Sequence, residues 1–374
     1  MKYHITTFGC QQNHADSERI ASLYESRGYQ EAQDFEDADT VIVNTCVIRE
    51  RAAEKIFGFI RNVRKKKSSV HIVVTGCLIG AASREPSGKM MKALRKRLPD
   101  VEFLPLDEVG FEHVPKRGVG IHAWLPISNG CNNYCTYCIV PFSRGKERSR
   151  PFDEIIQEAK DISQKGFSEI TLLGQNVNSY GADFLMEKYK EGENYILDGE
   201  AVKPIIVSHL GRHRIPTLFP HLLRKIAEMN FERVSFMSSN PWDFSDELID
   251  VIAQHENIDR ILHLPVQSGS NRILKAMNRW YTREEYRALV KKIRSRVSGV
   301  SFTTDIIVGF PSETQEEFLE TIDFAREIHF EKGYIAYYSS RPGTKAASFY
   351  DDVSLEEKKR RFYELDQLVN KKKK

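Results

Sequence analysis

At 374 residues, 41% hydrophobic and 29% charged, the chain is long enough to bury two cores. A net charge of +3 is too small to hold nucleic acid by the whole-protein field, which leaves only local basic runs for that role: Arg64 to Lys67, Lys92 to Arg97, Arg144 to Arg150 and Lys371 to Lys374. No apolar stretch of about eighteen residues occurs and the first residues lack a signal-peptide run, so the expectation is a cytoplasmic protein without a membrane span.

Three short β-like runs open the chain: Tyr3 to Gly9, Thr40 to Thr45 and His71 to Gly76. The second and third are β-branched and almost continuously apolar, the pattern of strands buried on both faces of a parallel sheet. Helical periodicity follows, with Ile20, Leu23 and Tyr24 on one face and Ala53, Ile56, Phe57 and Ile60 on another. A cysteine follows each run: Cys10, Cys46 and Cys77. Their spacings of 36 and 31 residues match one βαβ unit each. Each cysteine therefore tops a strand at its carboxyl end, where open α/β sheets bind ligands, and three such positions point to a metal cluster. In a chain this long the six cysteines suggest metal ligands rather than disulfide staples.

The other three cysteines lie in Gly130-Cys-Asn-Asn-Tyr-Cys-Thr-Tyr-Cys-Ile-Val-Pro141. Three thiolates within eight residues can hold three corners of a cubane iron–sulfur cluster and leave the fourth iron open. Tetrahedral zinc is the competitor, but it calls for a fourth nearby ligand; His122 is the nearest histidine, and no second CxxC follows.

Six strand-like runs after residue 118 alternate with helical segments: Trp124 to Ser128, Ile170 to Leu173, Val234 to Ser238, Ile261 to Val266, Phe302 to Val308 and Tyr334 to Tyr338. The helices include Asp153 to Lys165, Thr282 to Arg296 and Glu313 to Ile328. Alternation implies a parallel sheet, and six units imply a partly open (β/α)6 barrel rather than a closed one. The polar stretch 182–216 is expected to be a surface hairpin or loop, and Ser354 to Val369 a final helix. The fold class is α/β, with a parallel-sheet domain over 1–117, a barrel over 118–350 and a terminal helix within 351–374.

The cysteine triad with Tyr137 before its last member resembles the cluster loop of the radical S-adenosylmethionine (SAM) enzymes. The whole chain is similar to the radical SAM methylthiotransferases, and among them to the MiaB-type tRNA family. The stretches that carry this are Thr7 to Asn13, Asn44 to Arg49, Cys131 to Arg150, Leu172 to Tyr180, His263 to Gly269, Asp305 to Glu313 and Arg341 to Thr344. Gly-Cys-Gln-x-Asn and His-Leu-Pro-Val-Gln-Ser-Gly favour this type over relatives that modify threonylcarbamoyl-adenosine in tRNA or a ribosomal-protein aspartate. Gln12 stands where the family usually has Met. The family usually continues into a small RNA-gripping TRAM barrel, whereas this chain ends at Lys374, so that domain is expected to be absent.

The resemblance implies two [4Fe-4S] clusters. Cys131, Cys135 and Cys138 would hold the one that cleaves SAM to start radical chemistry at C2 of an isopentenylated adenosine. Cys10, Cys46 and Cys77 would hold the one that supplies sulfur. No side chain is expected to act as an acid or base. Gly174, Gln175, Asn176, Ser238, Gln267, Ser268, Val308 and Gly309, all at strand ends, are the candidate SAM contacts. Arg144, Lys146, Arg148 and Arg150 are the candidate contacts to RNA phosphates. Asp16 and Glu50 are expected to serve helix N-termini. The implied partners are tRNA and an electron donor such as flavodoxin or ferredoxin, with the enzyme a monomer. A zinc-stabilised, non-catalytic RNA-binding protein is the rival of another class.

Overall fold

Strands β1 (Lys2–Thr7), β2 (Gln30–Glu31), β3 (Thr40–Thr45), β4 (His71–Gly76) and β5 (Val101–Leu104) form a parallel sheet in the order β2-β1-β3-β4-β5. This computed structural model describes residues 1–371 other than 48, 49, 112, 119, 185–193, 198, 207, 210, 211, 214 and 215. The chain divides into two compact units: residues 1–132 with 139–148, and residues 133–138 with 149–374.

In the first unit every residue of β3 is buried, as is every residue of β4 except His71. That burial explains why both strands are apolar without alternation. Helix α1 (Gln11–Ser26) covers one sheet face with Ile20, Leu23 and Tyr24 against Tyr3, Ile42 and Val73. Helix α2 (Glu50–Lys66) covers the other with Ile56, Phe57, Ile60 and Val63 against Val41, Val43, Ile72 and Val74. Burying each such side chain contributes roughly 1.5–3 kcal/mol. The first unit thus has a layer on each side of its sheet. No apolar period marks the edge strands β2 and β5: one is two exposed residues, the other alternates weakly.

The second unit is also α/β. Glu169–Leu173 pairs in parallel with Arg233–Phe236, and Ser301–Val308 pairs in parallel with both Ile261–His263 and Lys332–Tyr337. Helices Phe152–Gln164, Phe219–Ala227, Asp246–Gln254, Arg283–Arg296 and Gln315–Ile328 run between them. Two of these start at capping boxes, Thr282 with Glu285 and Thr314 with Glu317, which satisfy the orphan N–H groups of the first turn. Of the polar stretch 182–216, the described part holds two antiparallel hairpins, Tyr195–Leu197 with Glu200–Val202 and Ser208–His209 with Arg212–His213; residues 185–193 lie outside the described part.

Helix Leu355–Asn370 packs on strand Lys332–Tyr337, and the Asn370 side chain bonds both backbone groups of Gly333 at 2.9 and 2.8 Å. Its Arg361 meets the buried Glu313 carboxylate at 2.9 Å. Burial still pushes the Glu313 carboxyl up to about 7. The folded group thus holds its proton more tightly than the unfolded one. Its contribution is complete below the ordinary pKa of 4.5 and is lost as pH rises through about 7. Glu313→Gln keeps an acceptor for Arg361 and for the Gly309 N–H and cannot ionise. Its unfolding free energy, from urea titrations, should therefore fall less than that of the parent between pH 5 and pH 8, a difference of up to about 3 kcal/mol. Identical pH slopes for the two proteins would refute this.

Candidate cluster sites

β1, β3 and β4 are immediate neighbours in the sheet, and their pairing brings Thr7 opposite Asn44 and Thr45 opposite Gly76. Their carboxyl ends are therefore level, about 4.8 Å apart along the edge. Cys10 is the N-cap of α1, Cys46 follows β3 directly, and Cys77 is the first residue of helix α3 (Cys77–Arg84) after β4. Cys46 and Cys77 are buried and Cys10 is half-buried. Burial pushes the Cys77 thiol up to about 11; Arg144 opposes that shift, while Asp16, Cys46 and Cys10 add to it. The Cys77 sulfur thus lies within electrostatic range of the other two cysteines.

Two buried asparagines hold this edge together. Asn13 donates to the Asn44 side chain and to the Thr45 carbonyl, both at 3.1 Å, and Asn44 donates back to the Asn13 carbonyl at 2.8 Å and to Ser17 at 2.9 Å. The Cys10 sulfur lies 3.4 Å from the Asn13 side-chain oxygen. These bonds tie the start of α1 to the carboxyl end of β3. Gly76 has φ +94°, and a Cβ there would stand 2.3 Å from the Thr45 carbonyl oxygen, so only glycine lets Cys77 sit this close to Cys46.

Arg144 was expected to face RNA. It is instead buried, held by Asp16 at 2.7 Å and Asn129 at 3.0 Å, within range of Cys10 and Cys77. The same pair corrects the expectation for Asp16, which stands in the second turn of α1, clear of the N-terminus, and neutralises a guanidinium. Glu50 is the first residue of α2. Arg150 is likewise buried, in an ion pair with Glu158 at 2.7 Å. Desolvated and paired, neither arginine is free to meet a phosphate; Lys146 and Arg148 are exposed.

Cys131 lies in the first unit, where its N–H donates to the Gly145 carbonyl at 3.2 Å. Cys135 and Cys138 lie in the second, where the Cys138 N–H donates to the Cys135 carbonyl at 2.9 Å. The segment after helix Asn271–Ala276 grips this end of the loop. Thr136 donates from its backbone to Met277 at 3.0 Å and from its hydroxyl to Ala276 at 2.9 Å, and the Asn278 amide reaches the carbonyls of Asn133 and Tyr134 at 3.2 and 3.1 Å. Next along is Arg279, a residue that sequence reasoning missed: its guanidinium is buried and its Nη1 lies 3.5 Å from the Cys135 sulfur. Tyr137 is close enough to feel Arg279, Cys135 and Cys138, although burial dominates and raises its hydroxyl well above the usual range. Among the described residues, no three His, Cys, Asp or Glu side chains converge on a single ion.

The candidate SAM contacts all follow strands of the second unit. Gly174, Gln175 and Asn176 follow Glu169–Leu173; Asn176 is buried, donates to Asp243 at 2.8 Å, and its Oδ1 has no donor among the described residues. Ser238 and Gln267 have φ of 65° and 69°, a strained conformation for non-glycine residues. The Gln267 backbone bonds Asp305 and Ile307, yet among the described residues its buried Oε1 has no donor. Ser268 is buried and bonds the Ser270 N–H at 3.1 Å. Val308 ends its strand, whereas the Gly309 N–H is occupied by Glu313 at 2.6 Å. Gly309 has φ +65°, and a Cβ there would meet Lys358 at 2.4 Å, so packing as well as the turn demands glycine.

The Radical SAM superfamily matches residues 125–325, and the uncharacterized protein family UPF0004 matches residues 2–95. Curated relatives from Staphylococcus aureus strains MRSA252 and JH9, each named tRNA-2-methylthio-N(6)-dimethylallyladenosine synthase, are 40% identical over 98% of this chain and 70% of their own length. Among solved structures, a radical SAM methyltransferase from Kitasatospora setae with cobalamin and a [4Fe-4S] cluster bound aligns with TM-score 0.62 at 13% identity, covering 92% of this chain and 76% of that one. A cobalamin-dependent SAM radical enzyme aligns with TM-score 0.54 at 12% identity, covering 99% and 55%. Fold and motif together define a radical SAM enzyme. The chain belongs to the radical SAM tRNA methylthiotransferase family of the MiaB type.

The Asn13 and Asn44 bonds predict that Asn13→Ala loses about 1–3 kcal/mol, because the buried Asn44 Oδ1 and Thr45 carbonyl lose the donor that Asn13 supplies to both. Reconstituted N13A should also retain less iron on the Cys10, Cys46 and Cys77 group; unchanged melting and unchanged iron content would count against the role given to this pair.

Proposed function

We propose that this chain attaches a methylthio group to C2 of N6-isopentenyladenosine next to the anticodon of tRNA, consuming two SAM. The observation that carries the reading is the placement of Cys10, Cys46 and Cys77 at level ends of three adjacent parallel strands, in a chain that also carries the Cys131, Cys135 and Cys138 loop. We assign a sulfur-carrying [4Fe-4S] cluster to the first group and a SAM-cleaving one to the second. The residues fit such groups: each offers three sulfurs and, among the described residues, no fourth ligand, and each has a buried guanidinium at hand to balance negative sulfur, Arg144 for one and Arg279 for the other. When bound, the two clusters supply an electron that cleaves SAM to a hydrogen-abstracting radical, and a sulfur that accepts a methyl group before joining the ring.

The side chains position; they do not transfer protons. The buried, donorless Asn176 Oδ1 and Gln267 Oε1 suit a ligand that brings N–H groups, as the amino group and adenine of SAM do. Gly174, Gln175, Ser238, Ser268 and Val308 complete that set; with its amide held by Glu313, Gly309 would contribute its carbonyl. Lys146 and Arg148 are the phosphate contacts. The functional division is 1–117 for sulfur supply and 118–350 for radical chemistry, with 351–374 as the flanking helix. A flavodoxin or ferredoxin donates the electron to a monomeric enzyme in the cytoplasm; among the described residues no helix is long and apolar enough to cross a membrane.

One anaerobic reaction tests the reading: reconstituted protein, SAM, dithionite and isopentenylated tRNA, with nucleosides weighed by mass spectrometry. The parent should yield a nucleoside heavier by a methylthio group. Cys131→Ala should form no 5′-deoxyadenosine, whereas Cys46→Ala should form it without methylthio transfer; if C46A retains transfer, the two-cluster reading fails. Lys146→Ala with Arg148→Ala should weaken tRNA binding and flatten its log K against log salt slope by about 2, near 0.9 per phosphate contact.

A further inference from the structure

We propose that Arg279 is a positioning residue that sets the reduction potential of the SAM-cleaving cluster by donating an N–H bond to the sulfur of Cys135. This rests on the assignment of that cluster to Cys131, Cys135 and Cys138 made above. The guanidinium is held on every side. Its Nη1 lies 3.5 Å from Cys135 Sγ, Nη2 donates to the Pro265 carbonyl at 3.1 Å, and Nε donates to the Tyr281 hydroxyl at 3.2 Å. The Tyr281 hydroxyl is itself fixed on the Val266 carbonyl at 2.7 Å, and the Trp242 ring packs 4.4 Å from the guanidinium carbon.

Among the described residues no carboxylate pairs with Arg279; its partners are a carbonyl, a phenol, two aromatic faces and one sulfur. A buried cation without an anion costs several kcal/mol, so the fold keeps it only where negative charge is otherwise supplied. Cys135 as thiolate, bound to iron, supplies it. The comparison with Arg144 sharpens the point, because that equally buried arginine carries its own carboxylate, Asp16, at 2.7 Å. Arg279 has its positive charge left over for the cluster.

A cluster that gains an electron gains a negative charge. A fixed cation and N–H donor at its sulfur stabilise the reduced form more than the oxidised one and raise the potential. Lysine cannot replace this geometry: one ammonium on a different stem cannot meet sulfur, carbonyl and phenol together or stack on indole.

The test uses the full chain with Cys10, Cys46 and Cys77 replaced by Ala, so that only one cluster is present, reconstituted anaerobically with iron and sulfide and titrated with dithionite under EPR. Arg279→Met should still take up the cluster, seen by absorbance near 400 nm, but show at least a tenfold lower reduced-to-oxidised ratio at a given potential, a fall of 59 mV or more for one electron. Arg279→Lys should fall between Met and the parent, and it decides the question should Met fail to fold. A midpoint equal to the parent's in whichever variant folds overturns the proposal. If the Cys10, Cys46 and Cys77 variant with Arg279 intact takes up no cluster, the assignment of the cysteines falls and the proposal falls with it; a loaded control with an unmoved variant removes the proposal alone.

Discussion

Buried sulfur that must carry negative charge is the constraint on which both halves of this molecule turn. A thiolate out of water is costly unless a cation, a metal or N–H donors face it. In the first unit Arg144 opposes the upward push that burial gives the Cys77 thiol. In the second, Arg279 lies 3.5 Å from Cys135. Each arginine must then be held where side-chain entropy would scatter it. Asp16 and Asn129 fix one; Pro265, Tyr281 and Trp242 fix the other. Many of the buried polar bonds around these sites serve that requirement.

Parallel pairing solves the second problem, which is to bring thiols from remote parts of the chain to one place. Adjacent strands in register end level, so one cysteine past each strand suffices, whatever helix intervenes. The strand ends are where such an arrangement would loosen, and there the side chains of Asn13, in the first turn of α1, and Asn44, near the end of β3, bond the helix to the strand. Gly76 removes the last obstacle, a Cβ against the Thr45 carbonyl. The motifs Gly-Cys-Gln-Gln-Asn and Asn-Thr-Cys therefore pair each sulfur with the amide that locks its turn.

What the sequence made legible is what period and spacing encode. β3 and β4 are continuous β-branched runs and fall where the pattern places them, as do helices Arg283–Arg296 and Gln315–Ile328 after their N-caps. β2 and β5 escaped because edge strands this short carry no buried period. The basic run Arg144 to Arg150 misled for a related reason. A string of charges says nothing of which face each one takes, and here the first and last arginines are buried against Asp16 and Glu158 while Lys146 and Arg148 are exposed. Arg279 gave no signal beyond its place beside Trp280 and Tyr281, since its importance comes from a sulfur 144 residues earlier in the chain.

The two arginines also differ in a way that fits two different tasks. Arg144 arrives with Asp16, so the pair presents a dipole rather than a net charge, and such a pair orients sulfur without much changing how easily the site accepts an electron. Arg279 arrives without a carboxylate and presents a full charge. Sulfur supply asks for a stable polar cradle, whereas cleavage of a sulfonium asks for an electron to be delivered at very low potential and yet to be accepted by the cluster first. An unbalanced cation beside one sulfur eases that acceptance, and a balanced pair beside the other group leaves it undisturbed. On the proposed assignment, the two cysteine groups differ in the charge balance of the arginine beside each.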